Sequence, residues 1–91
     1  MAAQAADTKY TRPRQHLGSA YEEIRHFTAW VDGDTFTTGA SKVHWAQFLP
    51  ELAGTIATTT SIVGGVVTIA LKDPTGAAAT SDGTLVLRTD V

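Results

Sequence analysis

At 91 residues the chain is one small domain at most, and its lack of cysteine excludes disulfide staples and Cys-ligated zinc. The net charge of −2 is unevenly spread: Lys9, Arg12 and Arg14 against Asp7 leave residues 1–20 at +2, while Arg25, Lys42, Lys72 and Arg88 against eight acids leave residues 21–91 at −4. The acidic body is a poor nucleic-acid binder, and no apolar run approaches the roughly 20 residues of a membrane span. A chain this short buries only roughly 60–65% of its extended surface, so its core is thin and association with other chains is expected.

Residues 1–20 show no sustained period and read as an extended N-terminal arm, with Arg12-Pro13 favouring extended backbone. The start lacks a charged region followed by an apolar one and reads as no signal peptide, which points to a chain made and used in a cytoplasm or in something assembled there. Fully extended, twenty residues reach roughly 65–70 Å. That is enough to cross a neighbouring subunit, and a solubilising tail is the plainer reading. Tyr10, Arg12, Arg14, Leu17 and Tyr21 are its candidate interface residues.

The folded domain is expected over residues 21–91. Ala20–Ile24 is compatible with a helical turn, after which β-branched and aromatic residues alternate, with Phe27, Ala29 and Val31 on one face and His26, Thr28 and Trp30 on the other. Asp32-Gly33 is a strong hairpin dipeptide, because Gly supplies the positive φ of a tight turn. A short strand is predicted around Thr35–Thr38. "KVHWAQFL" alternates again, with Val43, Trp45, Gln47 and Leu49 opposed to Lys42, His44, Ala46 and Phe48. A helix over 42–49 competes, but the β-rich surroundings disfavour it. Pro50 ends that strand or pushes it to an edge. A Thr-rich run between Ile56 and Val63 reads as a connection or as a strand of its own. Gly64-Gly65 is a turn, "VVTIALK" a strand, Asp73-Pro74-Thr75-Gly76 a β-turn, "AAATSDG" a loop closed by Asp82-Gly83, and "TLVLRT" the last strand. Together they predict an all-β fold, a small antiparallel β-sandwich or barrel preceded by the arm.

No chemistry is evident in the motifs. Asp32-Gly33-Asp34-Thr35 opens like a calcium loop, but the sixth position is Thr37 where Gly is required and the twelfth is Val43 where an acid is required. His26 and His44 lie in strands joined by the turn and are candidate cross-strand neighbours, without an evident third metal ligand. Glu22 and Glu23 point to opposite faces of a strand and form no acid–base dyad. Ser19, Ser41, Ser61 and Ser81 have no nucleophile-elbow context, and "IVGGVV" has no helix after it to make a phosphate cradle. No catalytic residue, metal ligand or cofactor is expected. Trp30, Trp45 and Phe48 are either core or partner-facing, since tryptophan is enriched among interface anchors.

The order of parts resembles the small structural proteins of tailed-bacteriophage virions. The resemblance lies in a strand followed by a "GDTxTTG"-like turn (Gly33 to Gly39), the aromatic strand "VHWAQF", a Thr/Gly-rich linker, "GGVVTIAL", a Gly/Ala loop and "TLVLRT". It covers roughly residues 25–91. It implies a capsid decoration, or cement, protein: a non-enzymatic β-domain, often a homotrimer, assembled in the host cytoplasm onto the capsid surface. Its partner would be the major capsid protein, with no nucleic acid and no membrane involved. A head-fibre or tail-associated domain that binds a host receptor or another virion protein is the alternative.

Overall fold

A computed structural model describes the backbone of residues 2–17 and 20–90, and side chains for 2–6 and 21–90. Seven strands follow in order: β1 (Asp7–Leu17), β2 (Ala20–Val31), β3 (Asp34–Thr37), β4 (Val43–Pro50), β5 (Ile56–Val63), β6 (Val66–Lys72) and β7 (Thr80–Thr89). All ladders between them are antiparallel. They form a four-stranded sheet, order β1-β2-β7-β4, packed on a three-stranded sheet, order β3-β6-β5. The fold is therefore the all-β sandwich expected, with Ala20–Ile24 in strand rather than helical conformation.

The core is built from the inward residues of both sheets: Phe27, Trp30, Val43, Ala46, Phe48, Leu85 and Leu87 from one, Val67, Ile69 and Leu71 from the other. Phe27 stands edge-on to Trp30 at 4.9 Å and to Phe36 at 5.0 Å, an arrangement the aromatic quadrupoles favour. Trp30 lies 5.3 Å from Phe48. The Trp30 indole N–H donates across the sandwich to the Ile69 carbonyl at 3.1 Å, so the bulkiest core residue has no stranded polar atom.

Two β-bulges alter the alternation expected from sequence. Between Phe27 and Trp30, β2 spends one residue more than β7, whose matching partners are Gly83 and Ser81. Ala29 takes φ 55° there, its N–H held by Asp82 Oδ1 at 2.8 Å. The extra residue brings Phe27 and Trp30 to the same inner face, instead of opposite faces. In β4 the shift between Val43 and Trp45 does the same, joining Val43 to Ala46 and Phe48 inside and leaving Trp45, Gln47 and Leu49 outside.

Asp32-Gly33 is a tight turn, but it does not make a hairpin. β2 and β3 belong to different sheets, so the turn is the corner at which the chain changes layer. Gly33, at φ 81°, donates to Ile69 O at 3.0 Å, and Asp32 N donates to Ala79 O at 3.1 Å. The expected loop through Asp82-Gly83 is also shorter than predicted, because β7 already begins at Thr80. Gly83 sits inside that strand beneath the Phe48 ring, where a Cβ would lie 2.4 Å from the ring.

The arm is extended, and it returns to its own domain. Residues 7–17 run along β2 as an edge strand, with register shifts between Asp7 and Arg12 and between Arg12 and Gln15. Before that, residues 2–4 lie parallel to β3: Thr35 N donates to Ala2 O at 3.0 Å and Gln4 N to Thr35 O at 2.8 Å. The N-terminal segment thus passes from one sheet to the other and joins the sandwich along one side. On the opposite side Thr59 Oγ1 donates to Ala46 O at 2.9 Å.

Candidate interaction surface

The Asp-Gly-Asp corner is a fastening. Asp34 is 2% exposed and accepts from Val31 N at 2.9 Å, Ala2 N at 3.1 Å and the Gln4 side-chain amide. Asp32 accepts from Leu71 N at 2.9 Å and from Lys72 Nζ at 2.8 Å. The Lys72 hydrogen bond, with help from the Leu71 N–H, holds the Asp32 carboxyl below its ordinary value. Each carboxylate spends its oxygens on protein donors, which identifies both as structural. The sequence reading as turn residues is right for Asp32, but it understates Asp34, which ties the first residues of the chain to the corner.

The two histidines are not neighbours. β7 lies between their strands, and the shared turn that seemed to join them is the layer-changing corner. His26 is 1% exposed and meets Glu51 at 2.7 Å, while His44 meets Asp90 at 2.5 Å at the other end of the sheet. Among the described residues no three His, Asp or Glu side chains converge as a metal site. Glu23 is buried on the inner face, 3.3 Å from Arg25, and Glu22 is on the outer face.

An open hollow of about 350 Å³ lies beside the β2 bulge, lined by Ala29, Glu51, Leu52, Thr80, Ser81 and Asp82. Glu51 is engaged by His26 and Asp82 by Ala29 N. Ser81 Oγ donates to Asp82 O at 2.6 Å and accepts from Leu52 N at 3.0 Å, so it has no base to activate it.

Of the interface candidates, Trp30 and Phe48 are core residues, 0% and 3% exposed: the β2 bulge brings Trp30 to the inner face, and Phe48 lies inward on β4 with Ala46. Tyr21 is half-buried. The side chains of Tyr10, Arg12, Arg14 and Leu17, like Ser19, lie outside the described residues. Trp45 remains a surface candidate at 44% exposure. Register places it in a row across the outer face with Arg88 and Glu22, and Val86 completes an open hollow of about 470 Å³. An indole flanked by a guanidinium and a carboxylate offers an apolar plate with one donor group and one acceptor group beside it.

Other exposed apolar side chains were not singled out by sequence. Leu49 is on the same outer face, while Ile56, Ile62, Val63 and Val66 belong to the β5–β6 hairpin. Their signal was present as β-branched residues in a segment without charge. Compared with protein-family models, with curated proteins and with solved structures, the chain finds no match.

Proposed function

We propose that this chain is a virion structural protein: a decoration, or cement, protein that docks on the major capsid protein at the capsid surface and works without catalysis. The observation that supports this reading best is Trp45, an exposed tryptophan on the outer face of the edge strand β4, with Arg88 of β7 beside it. Tryptophan and arginine are the side chains most often found as anchors of protein interfaces. The resemblance in the order of parts supplies the identity of the partner.

The test is reconstitution on capsids that lack the protein. Trp45→Ala leaves the fold intact, because the side chain is outside the core, and occupancy on the particle falls at least tenfold. Undiminished decoration by the variant would overturn the assignment of this face. A head-fibre or tail domain that binds a host glycan is the second reading, favoured by the indole-lined hollow with its polar flanks. Copy number separates the two, since hundreds per particle mark a cement protein and a handful mark a fibre or tail part.

A further inference from the structure

The sandwich has four sheet edges, and three of them are guarded. β1 carries Lys9, Arg12, Pro13 and Arg14 and two register shifts. β3 is covered by residues 2–4. β4 ends in Pro50 and is bulged at its start. Proteins use such charges, prolines and covers to stop edge strands from pairing with other chains, and a bulge, which β5 shares, does not by itself set an edge apart. β5 has no charged residue and no proline, and the uncharged stretch around it runs from Leu52 to Leu71. Its aliphatic side chains are open to solvent, with Ile56 at 59%, Ile62 at 37% and Val63 at 71% exposure.

β5 is also complementary to itself. Its single irregularity lies between Thr59 and Ser61, where Thr60 is an extra residue outside the β6 register, its hydroxyl donating to Thr68 O at 3.3 Å. With Thr60 set aside, the strand reads Ile56, Ala57, Thr58, Thr59, Ser61, Ile62, Val63. That is two aliphatic, three hydroxyl and two aliphatic residues, the same order of classes from either end. Register on β6 shows that the matching positions also share a face: Ile56, Thr58, Ser61 and Val63 lie opposite Lys72, Ala70, Thr68 and Val66, while Ala57, Thr59 and Ile62 lie opposite Leu71, Ile69 and Val67.

We propose that β5 is a two-fold interface at which a second copy of this chain adds antiparallel, making one six-stranded sheet, β3-β6-β5 continued by the partner's β5-β6-β3. The axis passes through Thr59. Ile56 meets Val63 of the partner subunit, Ala57 meets the partner's Ile62 and Thr58 meets the partner's Ser61. Every aliphatic side chain meets an aliphatic one, every hydroxyl a hydroxyl, and no charge is buried. The resemblance to virion proteins implies a trimer, whereas this edge closes as a pair and leaves no free β5 edge for growth. A seam of this length falls short of the about 1,200 Å² of a stable interface, so the pair is weak and dissociates on dilution. The inference does not depend on the virion reading.

Sedimentation equilibrium of the intact chain, from about 10 µM to about 1 mM, tests it. The expected result is a monomer–dimer equilibrium. Ile56→Glu and Val63→Lys, each at an exposed position, are both expected to weaken dimerisation at least tenfold while circular dichroism stays unchanged. An equimolar mixture of the two single variants restores the dimer, because one of the two Ile56–Val63 contacts becomes an ion pair. The double variant restores it through two. Rescue inside one chain is excluded, since the two positions are about 20 Å apart along the strand. A chain that stays monomeric throughout, a trimer, or single variants that dimerise like the parent would each overturn the proposal. So would single variants that fail to dimerise and are not rescued by mixing.

Discussion

Asp34 shows how much one side chain does at the corner. One oxygen accepts from Ala2 N; the other accepts from Val31 N and the Gln4 amide. Asp34→Asn keeps the shape but points an NH₂ at N–H donors, which leaves one side of the site unsatisfied. The expected cost is about 1–3 kcal/mol, read from urea unfolding. Asp32 and Asp73 contribute to the acid response of the fold. Asp73 accepts from the Thr75 hydroxyl at 2.6 Å and from Ala77 N at 3.0 Å, which together with Thr75 N lower its pKa. Asp32 is lowered chiefly by Lys72. A carboxyl with a lowered folded-state pKa contributes stability that is present above its unfolded value and lost as pH falls through the folded one. Stability is therefore expected to drop below about pH 4. The Asp32→Asn and Asp73→Asn double variant should show a flatter profile there, measured by unfolding at pH 7 and pH 3.

At the scale of the element, the bulge in β2 decides which aromatic groups become core. Ala29 at φ 55° is a non-glycine residue in the left-handed region. Ala29→Gly relieves that strain, and a stabilisation of about 0.5–1 kcal/mol is expected in thermal unfolding, with unchanged spectra. This bulge also shows where the sequence was legible. The strand segments, the Gly64-Gly65 turn and the end of β4 at Pro50 are local signals, and the structure agrees with them. A bulge is one unpaired residue chosen by what the neighbouring strand needs, and Thr28-Ala29 looks like any other strand dipeptide. From local pattern alone Trp30 and Phe48 are undecided between core and surface, and His26 and His44 are no more than candidate neighbours. Asp32-Gly33 announced a tight turn, but whether a turn returns to the same sheet depends on Ile69 and Ala79, some forty residues on. Trp45 was legible as a candidate, while its row with Arg88 and Glu22 depends on a strand pairing that local pattern does not contain.

For the whole molecule, the polar composition of the first residues did not disclose that they belong to the sandwich. Ladder hydrogen bonds use main-chain groups, so a polar segment covers the open edge of β2 as well as an apolar one would. Deleting residues 2–17 removes β1, the two main-chain bonds to Thr35 and two of Asp34's donors. A loss of at least about 2 kcal/mol is expected in denaturant unfolding, since the two bonds to Thr35 and the two to Asp34 contribute about 0.5–1.5 kcal/mol each and the β1 ladder adds to them. An unchanged midpoint would make the segment a solubilising tail. The strand order has a further consequence. β7 lies between β2 and β4, and those two strands meet no other partner on that side. During synthesis both are made before Thr80–Thr89. The four-stranded sheet therefore closes only once that segment has left the ribosome, and until then Phe27, Trp30 and Phe48 lack Leu85 and Leu87 to pack against.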